Sequence, residues 1–105
     1  MKENEENQRI GYYAVIPATV LFNEKLKANE KLLYALVTAL SNKEGYCYAS
    51  NKYLGEKLGV DSVTVSRWLT NLRRNNYVFV DIMRNEKKEI ICRRIFPNDV
   101  PYRLN

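Results

Sequence analysis

The stretch SNKYLGEKLGVDSVTVSRWLTNL, residues 50–72, decides the fold. Ser50 is a hydroxyl residue of the kind that caps a helix, and Tyr53, Leu54 and Leu58 behind it fall on one helical face. Gly59 suits the left-handed position that closes such a helix. Val60 leads directly into Asp61, an N-cap for a following helix. On that helix Val65, Leu69 and Leu72 recur four and three residues apart, with Trp68 beside them. Two helices are thus joined by the tight turn Gly59-Val60-Asp61, the helix-turn-helix plan.

The flanking segments complete the pattern. Upstream, Leu32, Leu33, Leu36, Val37 and Leu40 mark a long amphipathic helix, with Asn29 expected as its cap and Glu30 in its first turn. Ser41-Asn42 ends this helix before Gly45, and Tyr46-Cys47-Tyr48-Ala49 reads as a short strand. Downstream, the β-rich runs Tyr77–Met83 and Glu89–Phe96 enclose the polar loop Arg84-Asn85-Glu86-Lys87-Lys88, which makes a hairpin. Helix, strand, helix, turn, helix, hairpin is the order of a winged helix-turn-helix domain. The fold class is therefore α+β, a three-helix core with a small antiparallel sheet and a β-hairpin wing. The domain spans residues 12–96, between a charged flexible tail at 1–11 and a C-terminal tail at 97–105 that starts at Pro97. Tyr12-Tyr13-Ala14-Val15-Ile16 is either a short strand or an apolar arm lying on the body or on another chain. Pro17 then opens a short apolar turn through Val20, Leu21 and Phe22.

Composition narrows the function. Among 105 residues, 46% are hydrophobic and 28% charged, enough for one modest core. No run approaches the roughly 18 apolar residues of a membrane span, and no signal-peptide core is present, so no membrane partner is expected. Seventeen Lys and Arg against 12 Asp and Glu leave a net charge of +5, which favours an acidic partner such as nucleic acid. Histidine is absent, removing the usual general base and the commonest metal ligand. Cys47 and Cys92 form no CxxC pair and are read as buried free thiols of a cytoplasmic protein. Of the eight tyrosines, Tyr34, Tyr46, Tyr48, Tyr53 and Tyr77 are better explained by packing than as nucleophiles, and no Gly-rich phosphate loop occurs. No enzymatic activity, cofactor or metal is expected.

Residues 12–96 resemble the winged helix domains of replication initiators and related DNA-binding proteins from phages and plasmids of Gram-positive bacteria. The likeness is carried by IPATVLFNEKLKANEKLLYALVTALSN, GYCYASNKYLGEKLGV and DSVTVSRWLTNL. Initiators of that family usually continue into a further domain, whereas this sequence stops soon after the wing, at Asn105. The resemblance therefore implies a small accessory factor that marks an origin for replication or conjugative transfer, or equally a transcriptional regulator of the same element.

Candidate contacts with double-stranded DNA follow. Opposite the apolar face of the helix opened by Asp61 lie Ser62, Thr64, Arg67, Asn71 and Arg74, where hydroxyls, amides and a guanidinium can meet bases and phosphates. The bland alternative is a solvated helix face. Between Arg67 and Arg94 eight cations face three carboxylates, again +5, and they concentrate on the wing and the end of that helix. Arg84, Lys87, Lys88, Arg93 and Arg94 are the wing candidates, with Asn85 or an arginine entering the minor groove. Otherwise these charges keep a hairpin edge soluble. Lys52, beside Ser50 and Asn51, is a candidate phosphate contact at a helix start, where most caps do nothing further. The expected partners are double-stranded DNA, a second copy of the chain through residues 12–16 and 20–22, and replication or transfer proteins. A winged helix used as a protein–protein module is the alternative of a different class.

Overall fold

The structure is a computed structural model and describes residues 13–98, so the expected tail at 1–11, Tyr12 and the end of the chain from residue 99 lie outside the described residues. Four helices, α1 (Ala18–Leu21), α2 (Ala28–Leu40), α3 (Asn51–Leu58) and α4 (Ser62–Arg74), precede two strands, β1 (Val78–Arg84) and β2 (Ile90–Pro97). The strands pair antiparallel as a hairpin, and the domain is an α+β winged helix-turn-helix.

Local chemistry explains most boundaries. Ser50 accepts the N–H of Tyr53 at 3.1 Å and opens α3, which ends at Gly59 with φ 77°. Asp61 accepts the N–H of Thr64 at 2.8 Å and opens α4. At α2 the expectation of an Asn29 cap is corrected. The flanking residue is Lys27, whose N–H donates at 2.8 Å to Oε1 of Glu30, and Asn29 sits exposed inside the first turn. A carboxylate three residues into the helix reaches back to do what a small cap would do. The apolar turn after Pro17 is a single helical turn, α1, that buries Val20 completely.

Of the two readings left open for residues 12–16 the arm holds over the described part, and the strand expected at Tyr46–Ala49 is shorter. Residues 13–16 form no strand; they run as an arm along α2, where the Val15 N–H donates to Oγ1 of Thr38 at 2.9 Å. Tyr46–Ala49 contributes only one bridge, Cys47 to Ile95, closed by N–H to O contacts of 2.8 and 2.7 Å. Ala49 is followed at once by the cap of α3, so the chain leaves the sheet after one paired residue. Tyr77 precedes β1 rather than belonging to it. Its N–H donates to the Leu72 carbonyl at 2.9 Å, while its buried phenol donates to Thr19 O and accepts from Asn23. Pro97, expected in the tail, still pairs with Val78.

Leu33, Val37, Leu54, Val65, Leu72 and Ile95 meet in one core, and Trp68 packs against it half-buried. Cys47 belongs to this core, and burial pushes its thiol up to about 11. Cys92 is a free thiol only half-buried on the wing, a correction to its expected place in the interior. The hairpin leaves the core as it extends: Val78 is buried, whereas residues 82–91 are all exposed. Near its tip the register shifts between Met83 and Arg84, so that Met83 faces Cys92 but Arg84 faces Ile90. A bulge of this kind bends and twists a ribbon.

Candidate nucleic-acid interface

With Val65, Leu69 and Leu72 turned inward, α4 presents Ser62, Val63, Ser66, Arg67, Arg73 and Arg74 to solvent. Ser62, Arg67 and Arg74 stand where the sequence puts them. Val63, 65% exposed in the first turn, and Ser66 were not singled out, although the same period that turns Val65 inward turns both outward. An apolar side chain there can pack on a thymine methyl group, and short hydroxyls admit close approach to bases. Arg73 counted only towards the charge; it too is exposed and has no carboxylate partner among the described residues. Thr64 is half-buried.

Asn71 does not share this outward face. Its amide donates to Oε1 of Glu30 at 2.8 Å and also approaches the Lys25 carbonyl at 3.4 Å, and Asn75 in turn donates to its backbone carbonyl. Four residues beyond Arg67 the helix has turned by about 40°, which brings residue 71 towards the start of α2. Asn71 thereby satisfies Glu30, a carboxylate only 4% exposed, and fixes the angle at which α4 is held.

Asp61 places a negative charge at the start of α4. Hydrogen bonds from the Thr64 hydroxyl and N–H, with the nearby Arg67 charge, hold its carboxyl below the usual range. A depressed folded value means that the cap's stabilisation is present above the unfolded value and is lost as the pH falls through the folded one. Melting temperatures of the wild type and Asp61→Asn should therefore differ at neutral pH and converge below about pH 4. A gap that persists in acid would show that the charge contributes nothing there.

On the wing, the structure separates the candidate cations by what they already hold. Asn85 builds the turn: Oδ1 accepts the N–H groups of Lys87 and Glu89 at 2.8 and 3.0 Å, while Nδ2 donates to Glu89 Oε1 at 2.8 Å. Insertion of this side chain into a minor groove would require these bonds to break. Arg84 donates to the Lys88 carbonyl at 3.0 Å, across a turn in which Lys88 itself has φ 69°. Arg93 donates to Asn51 Oδ1 at 2.8 Å and to the Ala49 carbonyl at 2.7 Å, and burial draws its pKa below the arginine norm. Arg94 pairs with Asp81, which raises its pKa, and lies over the rings of Tyr46 and Phe96 at 5.5 and 5.8 Å. Arg93 and Arg94 are thus tied into the fold, whereas Lys87 and Lys88 extend exposed from the tip. Lys52 is exposed in the first turn of α3, beside the Asn51 that Arg93 engages.

A capped turn, an outward polar helix and a cationic hairpin define a winged helix-turn-helix protein. A family model described as a helix-turn-helix domain matches residues 24–78, slightly more than half of the chain, and the protein belongs to that family. The match runs from just before α2 to the first residue of β1 and so contains the whole turn and α4. No match was found among curated proteins or among solved structures. Among the described residues no helix is long and apolar enough to cross a membrane, and no group of three His, Cys, Asp or Glu is placed to hold a metal.

Proposed function

We propose that the protein is a sequence-specific double-stranded DNA-binding protein of a plasmid or phage, acting in the cytoplasm without catalytic activity. It binds repeated sites at an origin and helps to assemble a replication or conjugative-transfer complex there. The observation that carries DNA as the partner is the exposed ridge of α4, where Val63, Ser66, Arg67 and Arg74 stand behind a capped turn and, among the described residues, neither arginine is held in an ion pair. Membership of a helix-turn-helix family supports the same partner. The origin role is supported by the resemblance of residues 12–96 to initiator domains. Pairing of two copies is supported by the exposed apolar side chains Tyr13, Val15, Leu21, Phe22 and Leu32 around the N-terminal arm, α1 and α2. Two-fold pairing lengthens the site that so small a domain can read.

Footprinting on the element's own DNA tests this reading: protection of repeats within an origin supports it, and protection of a promoter alone makes the protein a transcriptional regulator. Affinity should fall steeply with salt, with a slope of log K against log salt of roughly −4 to −5 if about four to six phosphates are neutralised. Arg67→Ala should cost about 1–3 kcal/mol at the cognate site and relax discrimination there, whereas Lys87→Ala with Lys88→Ala should weaken every sequence and flatten the slope by about two. No measurable binding to duplex DNA at low salt would leave the protein–protein module as the better reading.

A further inference from the structure

A row of aromatic rings runs from the segment before α3 onto the base of the hairpin. Tyr48 and Tyr46 have centroids 6.3 Å apart, Tyr46 and Phe96 5.4 Å, and Phe96 and Phe79 6.4 Å. The last ring, Phe79, is 68% exposed. Residue 79 also borders a groove of about 360 Å³ between β1 and the last turns of α4, lined besides by Thr70, Arg73, Arg74, Asn76, Val78 and Val80. Single exposed apolar residues are ordinary on a protein surface. Here, however, the exposed ring ends a four-ring row and shares a groove with two arginines that have no carboxylate partner among the described residues.

We propose that this groove binds single-stranded DNA, with an unpaired base stacked on Phe79 and the adjoining phosphate held by Arg73 and Arg74. A duplex offers base edges, thymine methyl groups and phosphates, while its base faces are already stacked on one another, so the face of an exposed ring finds no open base to stack on unless a step is prised apart. An unpaired strand offers both the π-face and the charge, the combination that single-strand binding surfaces use. A second copy of the chain is a poorer occupant. Two-fold pairing centred on this groove would set Arg73 and Arg74 against their own equivalents, with no carboxylate in the groove to offset the repulsion. The groove shares Arg74 with the duplex-facing ridge, but Phe79 and Arg73 belong to the groove alone, and neither the wing tip nor the first turn of α4 contributes to it.

Fluorescence anisotropy with a labelled oligothymidylate tests the assignment on the intact chain. The wild type binds, and Phe79→Leu, which keeps an apolar side chain but removes the ring, weakens binding about tenfold while leaving affinity for a blunt duplex unchanged. Arg73→Ala weakens strand binding further. Lys87→Ala with Lys88→Ala reverses the pattern, affecting the duplex more than the strand. Circular dichroism confirms that each variant is folded. Failure of the wild type to bind the oligothymidylate, or equal binding by Phe79→Leu, overturns the proposal. So would competition by thymidine monophosphate at the same nucleotide concentration, which would make the ligand a free nucleotide. Sedimentation showing a dimer that Phe79→Leu dissolves would overturn it in favour of a second copy.

Discussion

Gly55→Ala is expected to destabilise the protein and abolish duplex binding together, although it adds one methyl group and improves helix propensity. Gly55 lies inside α3, where the Gly59-Val60-Asp61 turn folds back over it. A Cβ at residue 55 would sit 2.4 Å from the Val60 carbonyl oxygen and 3.4 Å from backbone atoms of Asp61. The Gly55 carbonyl also accepts the Val60 N–H at 2.9 Å, so the two segments are held at that separation. Backbone cannot swing aside as a flexible side chain can, and the turn must open. Overpacking of this kind costs about 1–3 kcal/mol, more than the roughly 1 kcal/mol that alanine gains over glycine in a helix. Opening the turn also changes the angle between α3 and α4, on which docking depends. Gly59→Ala is the control. Its φ of 77° makes alanine strained at about 1–2 kcal/mol, but the space around it is open and the helix crossing survives. Urea unfolding and duplex titration of both variants decide the matter. Wild-type stability in Gly55→Ala would mean that the turn lies farther from α3.

Leu69→Ala should lower stability by about 2–5 kcal/mol, a large part of the roughly 5–15 kcal/mol available to a small domain. Leu69 is 5% exposed and sits between Val65 and Leu72 on the inner stripe of α4, so the cavity left by truncation is walled by helices and cannot collapse freely. The single tryptophan, Trp68, packs against the same core and makes intrinsic fluorescence a direct readout of its loss. An unchanged urea midpoint would mean that α4 is rotated about its axis.

The elements that the sequence announces are those specified by neighbours in the chain. Ser50, Gly59 and Asp61 act on N–H and C=O groups within five residues, and the spacing of Val65, Leu69 and Leu72 is itself a local signal. The helix-turn-helix was legible for that reason. What escaped is set by partners far away. Asn71 meets Glu30 across 41 residues, Arg93 meets Asn51 across 42, and Arg94 meets Asp81 across 13. A polar or charged residue in a strand or on a helix reads as solvent-facing until its partner is known, so four of the candidate contacts mixed wing-tip lysines with arginines that brace the fold. Asn85 is ambiguous on a shorter scale: an asparagine in a polar loop suits a groove contact and a turn equally, and its part in the turn shows only once the Lys87 and Glu89 N–H groups are seen to point at it. Lys27 gives no cap signal because its side chain accepts nothing; the signal belonged to Glu30.

The two bonds that Arg93 makes to the opening of α3 divide the hairpin into parts that move on separate clocks. Below Arg93, β2 is held by the Cys47–Ile95 bridge and by burial of Ile95 and Val78, so its amide hydrogens can reach solvent deuterium only when much of the domain opens. Beyond Met83 the ribbon is exposed and, among the described residues, its hydrogen bonds stay within the hairpin, so its amides should exchange orders of magnitude sooner. A backbone lying across the tip would then meet a short segment that settles in place within the lifetime of an encounter, on a base that does not yield at all over the same interval.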